Sequence, residues 1–314
     1  MKIKNLDFGE NAIFLSPMAG VADFSYRALC REYGADFSFT EMVSCKGLLY
    51  DSERTNKMLF TLEQEKFCGI QLFGSEPEDF AKVVKMPQLE KFDIIDINFG
   101  CPAQKVFKNG EGSALLQYPQ RVYEIVKAAV SNTKKPVTAK IRLGINEENF
   151  NGPEIARLIE KAGASAIFVH GRYREQQYSG KVDYELIKKI KQSVSIPVIG
   201  NGDITDLESL QKMRDTGVDA VSLARASMGK PWIFASLKGK ELEIAPYGVF
   251  KRYVEKLKLQ FSEEFLSKYL RKHALWYLKG YNSIEVKTKV ASAESVEELL
   301  KDMEEFFKNK AKDV

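Results

Sequence analysis

The chain has 314 residues, 44% of them hydrophobic and 29% charged, the balance of a globular protein with ample material for a core. Its net charge of +4 is too small to identify an acidic partner, and no window approaches the roughly 18 unbroken apolar residues of a membrane-spanning helix. The four cysteines, Cys30, Cys45, Cys68 and Cys101, form no CxxC pair or metal-ligand spacing, and there are two histidines, His170 and His273. Reduced thiols, a cytoplasmic location and no metal site are expected. Residues 1–7 lack an apolar run and a cleavage signature, so no secretory signal is expected either.

Up to about Leu237, short apolar runs alternate with amphipathic segments. The runs cover 13–18, 37–41, 67–73, 94–98, 137–142, 166–170, 196–200 and 220–223. Several are rich in β-branched residues and most end on a polar residue or glycine, which predicts buried parallel strands. Helical patterns lie between them at 24–33, 119–132, 153–162, 184–192 and 206–216, and Gly34, Gly163 and Gly217 stand where helix C-terminal glycines belong. Periodicity does not separate an open sheet from a closed barrel. Polar residues at the C-terminal ends of successive strands favour the barrel, which brings those ends to one mouth. After Pro246 the strand signal disappears, and helices are predicted at 247–265, 266–278, 284–291 and 296–308, the last opened by a Ser295/Glu298 capping box. The expected architecture is α/β, a (β/α)₈ TIM barrel over 1–240 followed by a small all-α helical bundle over 245–314, with the boundary near 239–246.

The strand ends carry the candidate chemistry. The first reads Ser16-Pro17-Met18-Ala19-Gly20, either a plain tight turn or a place where backbone approaches a ligand. The third ends on Gln71-Leu72-Phe73-Gly74; its glutamine suits a pyrimidine or isoalloxazine edge, or simply satisfies loop backbone. The fourth ends Asp96-Ile97-Asn98-Phe99-Gly100-Cys101-Pro102, the sharpest signal. A thiol between glycine and proline on such a loop can act as nucleophile, acid or ligand, and with a reference pKa near 8.5 it is mostly protonated at neutral pH. Cys30, on an amphipathic helix, and Cys68, within a strand, read as packing residues.

The fifth strand gives Lys140-Ile141-Arg142, cations suited to an anionic cofactor or to salt-bridged strand ends; from side-chain alternation, at most one is expected inside the barrel at that level. His170 ends the sixth strand and by itself reads as a satisfied core histidine. Gly200-Asn201-Gly202-Asp203 and Leu223-Ala224-Arg225-Ala226 follow the last two strands, where barrels often hold a phosphate. The set as a whole implies a phosphorylated cofactor and a redox or proton-transfer reaction.

These stretches, together with Thr40-Glu41-Met42, His170-Gly171-Arg172, Pro231-Trp232-Ile233-Phe234, Arg271-Lys272-His273 and Trp276-Tyr277-Leu278-Lys279-Gly280, resemble the tRNA-dihydrouridine synthases from residue 13 to about 281. The bacterial B branch is the most similar. The resemblance implies FMN on the C-terminal face, with NADPH (or NADH) as reductant. Pro17, Met18 and Ala19 would lie along the flavin, Gln71 and Lys140 would bond its ring, and His170 would reach the ribityl–phosphate region. Asn201, Gly202, Asp203, Ala224 and Arg225 would hold the phosphate, Asn98 would orient the uracil and Cys101 would donate the proton. Ala224 departs from the family's usual glycine; it is harmless if only its N–H is used, and costs ~1 kcal/mol if a positive φ is needed.

Residues 105–117 read either as an ordinary long loop or as a mobile lid that closes when RNA binds, and the resemblance favours the lid. Between Pro246 and Gly280, Lys251, Arg252, Lys256, Lys258, Lys268, Arg271, Lys272 and Lys279 outnumber Glu255, Glu263 and Glu264, with Tyr247, Tyr253, Tyr269, Trp276 and Tyr277 interleaved. That pattern is either a solvated helix face or a phosphate-tracking surface with stacking platforms, here for tRNA. Arg172, Arg174 and Tyr178 are expected to extend it, with Lys268, Arg271 and Lys272 at its centre. A monomer is expected. Three rivals share parts of the pattern: an FMN barrel acting on a free pyrimidine, a lyase using Lys140 as a Schiff base, and a non-catalytic RNA-binding barrel.

Overall fold

The structure is a computed structural model that describes residues 1–62, 65 and 67–312, with side chains to 310. Two short strands, β1 (Lys2–Ile3) and β2 (Leu6–Asp7), pair antiparallel ahead of the barrel. Eight parallel strands follow: β3 (Ile13–Leu15), β4 (Phe37–Ser44), β5 (Cys68–Phe73), β6 (Ile94–Phe99), β7 (Val137–Arg142), β8 (Ala166–His170), β9 (Val198–Asn201) and β10 (Ala220–Leu223). They pair in chain order, and β10 returns to β3 to close the barrel. The TIM barrel expected from the strand ends is thus the fold.

Side-chain alternation divides the barrel interior by height. Towards the N-terminal ends of the strands, Phe14, Phe37, Phe39, Ile94, Phe168 and Ile199 form one buried cluster. Phe39 meets Phe37 and Phe168 edge to face at 5.1 and 5.2 Å. Ile3 belongs to this cluster, and Met1, Leu6 and Phe8 pack against it. The β1–β2 hairpin therefore caps the apolar floor. The sequence shows no apolar run there, because a few scattered hydrophobic residues suffice. Two residues further along the same strands the inward positions turn polar: Ser16, Gln71, Asp96, Thr138, Asn201 and Ser222 are all buried.

β4 runs three residues past its expected end, with a register irregularity between Phe39 and Met42. That irregularity carries Glu41 to a position where its carboxylate accepts from the N–H of Gly20 in the β3 loop.

The chain divides into two compact units: Met1–Asp23 with Ala35–Ala224, and Phe24–Gly34 with Arg225–Val314. The division falls earlier than 239–246 and takes the helix Phe24–Glu32 out of the barrel sequence. Within the second unit that helix is fastened by side chains. Ser25 donates to the Tyr253 carbonyl at 2.7 Å, Tyr26 to Ser227 Oγ at 2.9 Å, and Phe24 stacks on Phe261. The unit continues with helices Pro246–Leu257, Glu263–Tyr277, Ile284–Ser292 and Val296–Lys312. The helix expected over 247–265 is broken, because Ser262 accepts from the Phe265 N–H and caps a new start. At 295–298 the capping box is half formed: Ser295 accepts from Glu298 N, while the Glu298 carboxylate takes the N–H of Glu294.

Candidate active site

The polar layer of the barrel is held by two hydrogen-bond networks, one across β5, β6 and β7 and one around Asn201. Gln71, Asp96 and Thr138 are lateral partners on β5, β6 and β7. Thr138 Oγ1 donates to Asp96 Oδ1 at 2.6 Å and Gln71 Nε2 to Asp96 Oδ2 at 2.7 Å. Asn98 Nδ2 donates to Gln71 Oε1 at 2.8 Å, and Asn98 Oδ1 accepts from the N–H groups of Gly100 and Cys101 at 3.1 and 2.8 Å. On the other side, Lys140 Nζ donates to Asn201 Oδ1 at 3.3 Å, and Asn201 Nδ2 donates to Ser16 Oγ and the Ser222 carbonyl. Asp96, Thr138 and Ser16 were not singled out from the sequence. A lone carboxylate two residues before Asn98 in an otherwise apolar strand was the available signal.

Burial sets the electrostatics. It pushes the Asp96 carboxyl up to about 6, against Thr138, Gln71 and the charge of Lys140. It also pulls the Lys140 ammonium down to about 8, with Arg142 acting in the same sense and Asp96 opposing. Burial raises the Cys101 thiol; the Ala103 backbone bond and Arg142 pull it down, and Glu111 pushes it up. Of the four cysteines, Cys101 alone is half-buried while the others are buried.

Lys140 and Arg142 are two residues apart and so share a strand face. The expectation that alternation admits only one inside is therefore corrected: height, not facing, separates them. Arg142 clamps the loop of the cysteine, donating from Nε to the Gly100 carbonyl and from Nη1 to the Tyr173 carbonyl, each at 2.8 Å. Ser113 Oγ donates to the Cys101 carbonyl at 2.8 Å. The φ of +61° at Gly112 favours glycine, and a β-carbon there would lie tightly at 3.1 Å from Cys101 Cβ. The lid expected at 105–117 is thus only partly free. Gly112 to Leu116 are buried beneath the cysteine, whereas Ala103 to Lys105 and Lys108 are exposed.

Pro17 and Met18 are half-buried and Ala19 exposed, in a turn where Val21 and Ala22 donate to the Met18 carbonyl. After β9, Gly202 and Asp203 both take positive φ, +138° and +46°. Arg172 is 1% exposed and pairs with the Asp203 carboxylate, with its Nη1 3.4 Å from His170 Nε2. Arg172 also bonds the Ser179 and Gly180 carbonyls. It is an internal brace, which corrects its placement on a basic surface. Arg174 is half-buried, donates to Gln104 Oε1 at 2.9 Å and lies 4.0 Å over Phe107, tying down the segment after Cys101. Ala224 is absent from the positive-φ residues among those described, so the residue carries no steric penalty there. Arg225 is exposed at the start of a 3-10 turn in the second unit.

In that unit, helix Glu263–Tyr277 lines an open groove of about 820 Å³ with Phe265, Lys268, Tyr269, Arg271 and Lys272. Phe261, Phe265 and Tyr269 stack in turn at 4.6 and 5.1 Å, and Lys272 lies 4.8 Å over Tyr269. Arg271 Nε donates to the Ala293 carbonyl and Lys268 pairs with Glu264. Tyr253 and Tyr277 are buried and offer no stacking platform, whereas Phe265, not singled out from the sequence, is 44% exposed. Glu32 pairs with Arg252 and Lys256, a partner too distant in sequence for a local tally of charges.

Residues 14–312 match the dihydrouridine synthase (Dus) family. The chain belongs to this family. It is 36% identical over 311 residues to tRNA-dihydrouridine synthase B of Proteus vulgaris, covering 96% of each chain. It is 40% identical over 278 residues to tRNA-dihydrouridine synthase B of Pseudomonas aeruginosa, covering 85% of this chain and 84% of the relative. The solved structure of morphinone reductase in complex with tetrahydroNAD aligns with 77% of this chain and 90% of its own at a TM-score of 0.53 and 9% identity, a likeness of fold. As a dihydrouridine synthase, the protein is an oxidoreductase that reduces uridine to dihydrouridine.

The family's flavin is chemically compatible with this donor set. Lys140 carries three donor hydrogens, one of them directed to Asn201 Oδ1, which suits an electron-rich ring edge. Gly202 and Asp203, both at positive φ with Gly202 buried and Asp203 exposed, form a turn whose backbone conformation suits a phosphate cradle. No group of three or more His, Cys, Asp or Glu among the described residues is arranged to hold a metal, and none of the described helices is long and apolar enough to cross a membrane.

Proposed function

We propose that the uridine reduced is one of tRNA, that the hydride carrier is FMN reduced by NADPH (or NADH), and that the enzyme works in the cytoplasm. The hydrogen-bond network ending on Cys101 is the observation that carries this reading. When bound, the flavin would supply the hydride for C6 of the uracil. The residues of the chain do the rest. Lys140 and Gln71 bond the ring of the cofactor, and Pro17, Met18 and Ala19 line it. His170, Asn201, Gly202, Ala224 and Arg225 serve its ribityl–phosphate end, with Asp203 acting through its pairing with Arg172. Asn98 orients the uracil. The Cys101 Sγ gives its proton to C5 on the opposite face, and a thiol raised by burial holds that proton at neutral pH. The target base must leave its stack to reach such a mouth.

The barrel is the catalytic domain in this reading, and the helical unit binds tRNA. Lys268 and Lys272 meet phosphates beside the Phe265–Tyr269 platform, and Arg271 shares that face while bracing Ala293. Arg174 contributes from the loop after β8, beside the segment after Cys101 that it ties down. The test is direct. Denaturation of the purified protein should release FMN and not FAD, and unmodified tRNA should reoxidise the reduced protein under anaerobic conditions far faster than free uridine. A protein that cannot be reconstituted with FMN overturns the cofactor; equal rates with free uridine overturn the tRNA.

A further inference from the structure

We propose that Asp96 is a positioning residue, the acceptor that sets the polarity of a relay running through Gln71 and Asn98 to the backbone N–H groups of Gly100 and Cys101. For its consequence in turnover, this rests on Cys101 being the proton donor; the relay itself does not.

The physical basis is the ambiguity of amides. The two orientations of a glutamine or asparagine side chain have nearly the same shape and differ only in which end donates. A pair of such amides in series therefore needs a fixed polarity at both ends. At the upper end, two backbone N–H groups can only donate, so Asn98 must turn Oδ1 to them, at 3.1 and 2.8 Å. Its Nδ2 then faces Gln71, which must present Oε1, at 2.8 Å. Gln71 Nε2 is left facing inward and needs an acceptor, and Asp96 Oδ2 stands 2.7 Å away. The other carboxylate oxygen is occupied by Thr138 Oγ1 at 2.6 Å, which holds the carboxylate in place from the next strand.

Asp96 is buried at 1% exposure, beneath residues that the reaction requires. A carboxylate there is costly unless it is hydrogen-bonded, and an apolar residue would fill the same volume. What an apolar residue does not supply is direction. Above a pH of about 6 the carboxyl is ionised and can only accept. If the acceptor is removed, Gln71 loses its reason to face inward, and a flipped Gln71 turns its NH₂ towards that of Asn98. Asn98 must then flip in turn or lose its partner, and its flip sets a donor against the two N–H groups of the cysteine loop. The loop is not thereby unfolded, because Arg142 still holds the Gly100 carbonyl and Ser113 the Cys101 carbonyl. The effect is a loss of aim at one thiol within an intact barrel.

Hydrogen exchange at the Gly100 and Cys101 amides of the full chain reads the relay without needing flavin or tRNA. Asp96→Leu should accelerate exchange at these two amides about tenfold, the scale of one missing hydrogen bond. Asp96→Asn, which can still turn an oxygen to Gln71, should restore most of the protection; a space-filling role would make leucine and asparagine equivalent. Gln71→Leu cuts the same line one link further on and should give the same loss. The double variant Asp96→Leu/Gln71→Leu should lose no more than either single one, since links in series are not additive. In turnover, Asp96→Leu should lower kcat with tRNA more than it raises KM. Wild-type protection in folded Asp96→Leu, or losses that simply sum in the double variant, overturns the relay. If exchange behaves as stated while FMN or tRNA fails as cofactor or substrate, the relay stands and the functional reading falls.

Discussion

The upper layer of the barrel and the groove-lining face of helix Glu263–Tyr277 both gather polar side chains, and they use them in opposite ways. In the barrel, Gln71, Asp96 and Thr138 are buried and their hydrogen bonds fix each other's orientation, while buried Asn201 is held by Ser16 and Ser222. Burial shifts Asp96 and Lys140 towards their neutral forms and makes every partner matter. On the helix, Lys268 keeps 72% of its side chain exposed and pairs with Glu264 one turn away. Such a pair is worth little and is screened by salt. Adding hydrogen across one double bond calls for the first arrangement; an exposed cationic face suits a polyanion of varying sequence.

The largest expected effect lies in the buried layer's terminus. Cys101→Ala should still take up FMN and accept hydride from the nicotinamide, but reoxidation by tRNA in anaerobic stopped flow should slow roughly 10²–10⁴-fold. Cys30→Ala and Cys68→Ala, both within packed elements, should show no comparable kinetic loss. Near-normal reoxidation in Cys101→Ala would move the proton to water or another side chain.

The solvated face should respond differently. Lys268→Glu with Lys272→Glu should weaken tRNA binding and flatten the salt dependence, by about 0.9 in the log–log slope for each phosphate that is no longer neutralised. Flavin reduction should be untouched. Adding Arg271→Glu should also lower stability, because Arg271 holds the Ala293 carbonyl. An unchanged salt slope would place the RNA elsewhere.

A smaller effect distinguishes a buried cation by its pH dependence. Lys140 titrates at about 8 in the folded protein, below its ordinary 10.5. Between those values the unfolded chain keeps a proton that the folded protein has released, so stability rises with pH across that window. In chemical denaturation, wild type should therefore gain stability relative to Lys140→Met from pH 8 to about 10.5. A flat difference would mean that Lys140 keeps its proton when folded. The smallest change expected is Ser262→Ala, about 1 kcal/mol from loss of the cap that starts the groove-lining helix, seen as a lowered denaturation midpoint.

Much of the barrel was legible in its strands because buried parallel strands must be continuously apolar, and the interruptions at their ends mark the mouth. Gly34, Gly163 and Gly217 were legible for the same local reason, and all three take positive φ. The β1–β2 hairpin was not, since apolar residues scattered along it become a cap only when a barrel floor lies beneath them. Arg172 reads as a surface residue because its sequence neighbours are polar, while its partner Asp203 lies 31 residues away.

Local pattern by itself determined the element types, the closure hinted at by polar strand ends, and the family to which Cys101 and Lys140 belong. Only the tertiary structure decided direction and pairing. It put Asp96 beside Gln71 rather than beside its own neighbours, moved Arg142 from cofactor cation to loop clamp, and buried the lower half of the supposed lid. The physical reason is range. Propensity and periodicity act over a few residues, whereas a hydrogen-bond relay across β5, β6 and β7 exists only once barrel closure has set residues 25 and 42 positions apart in register.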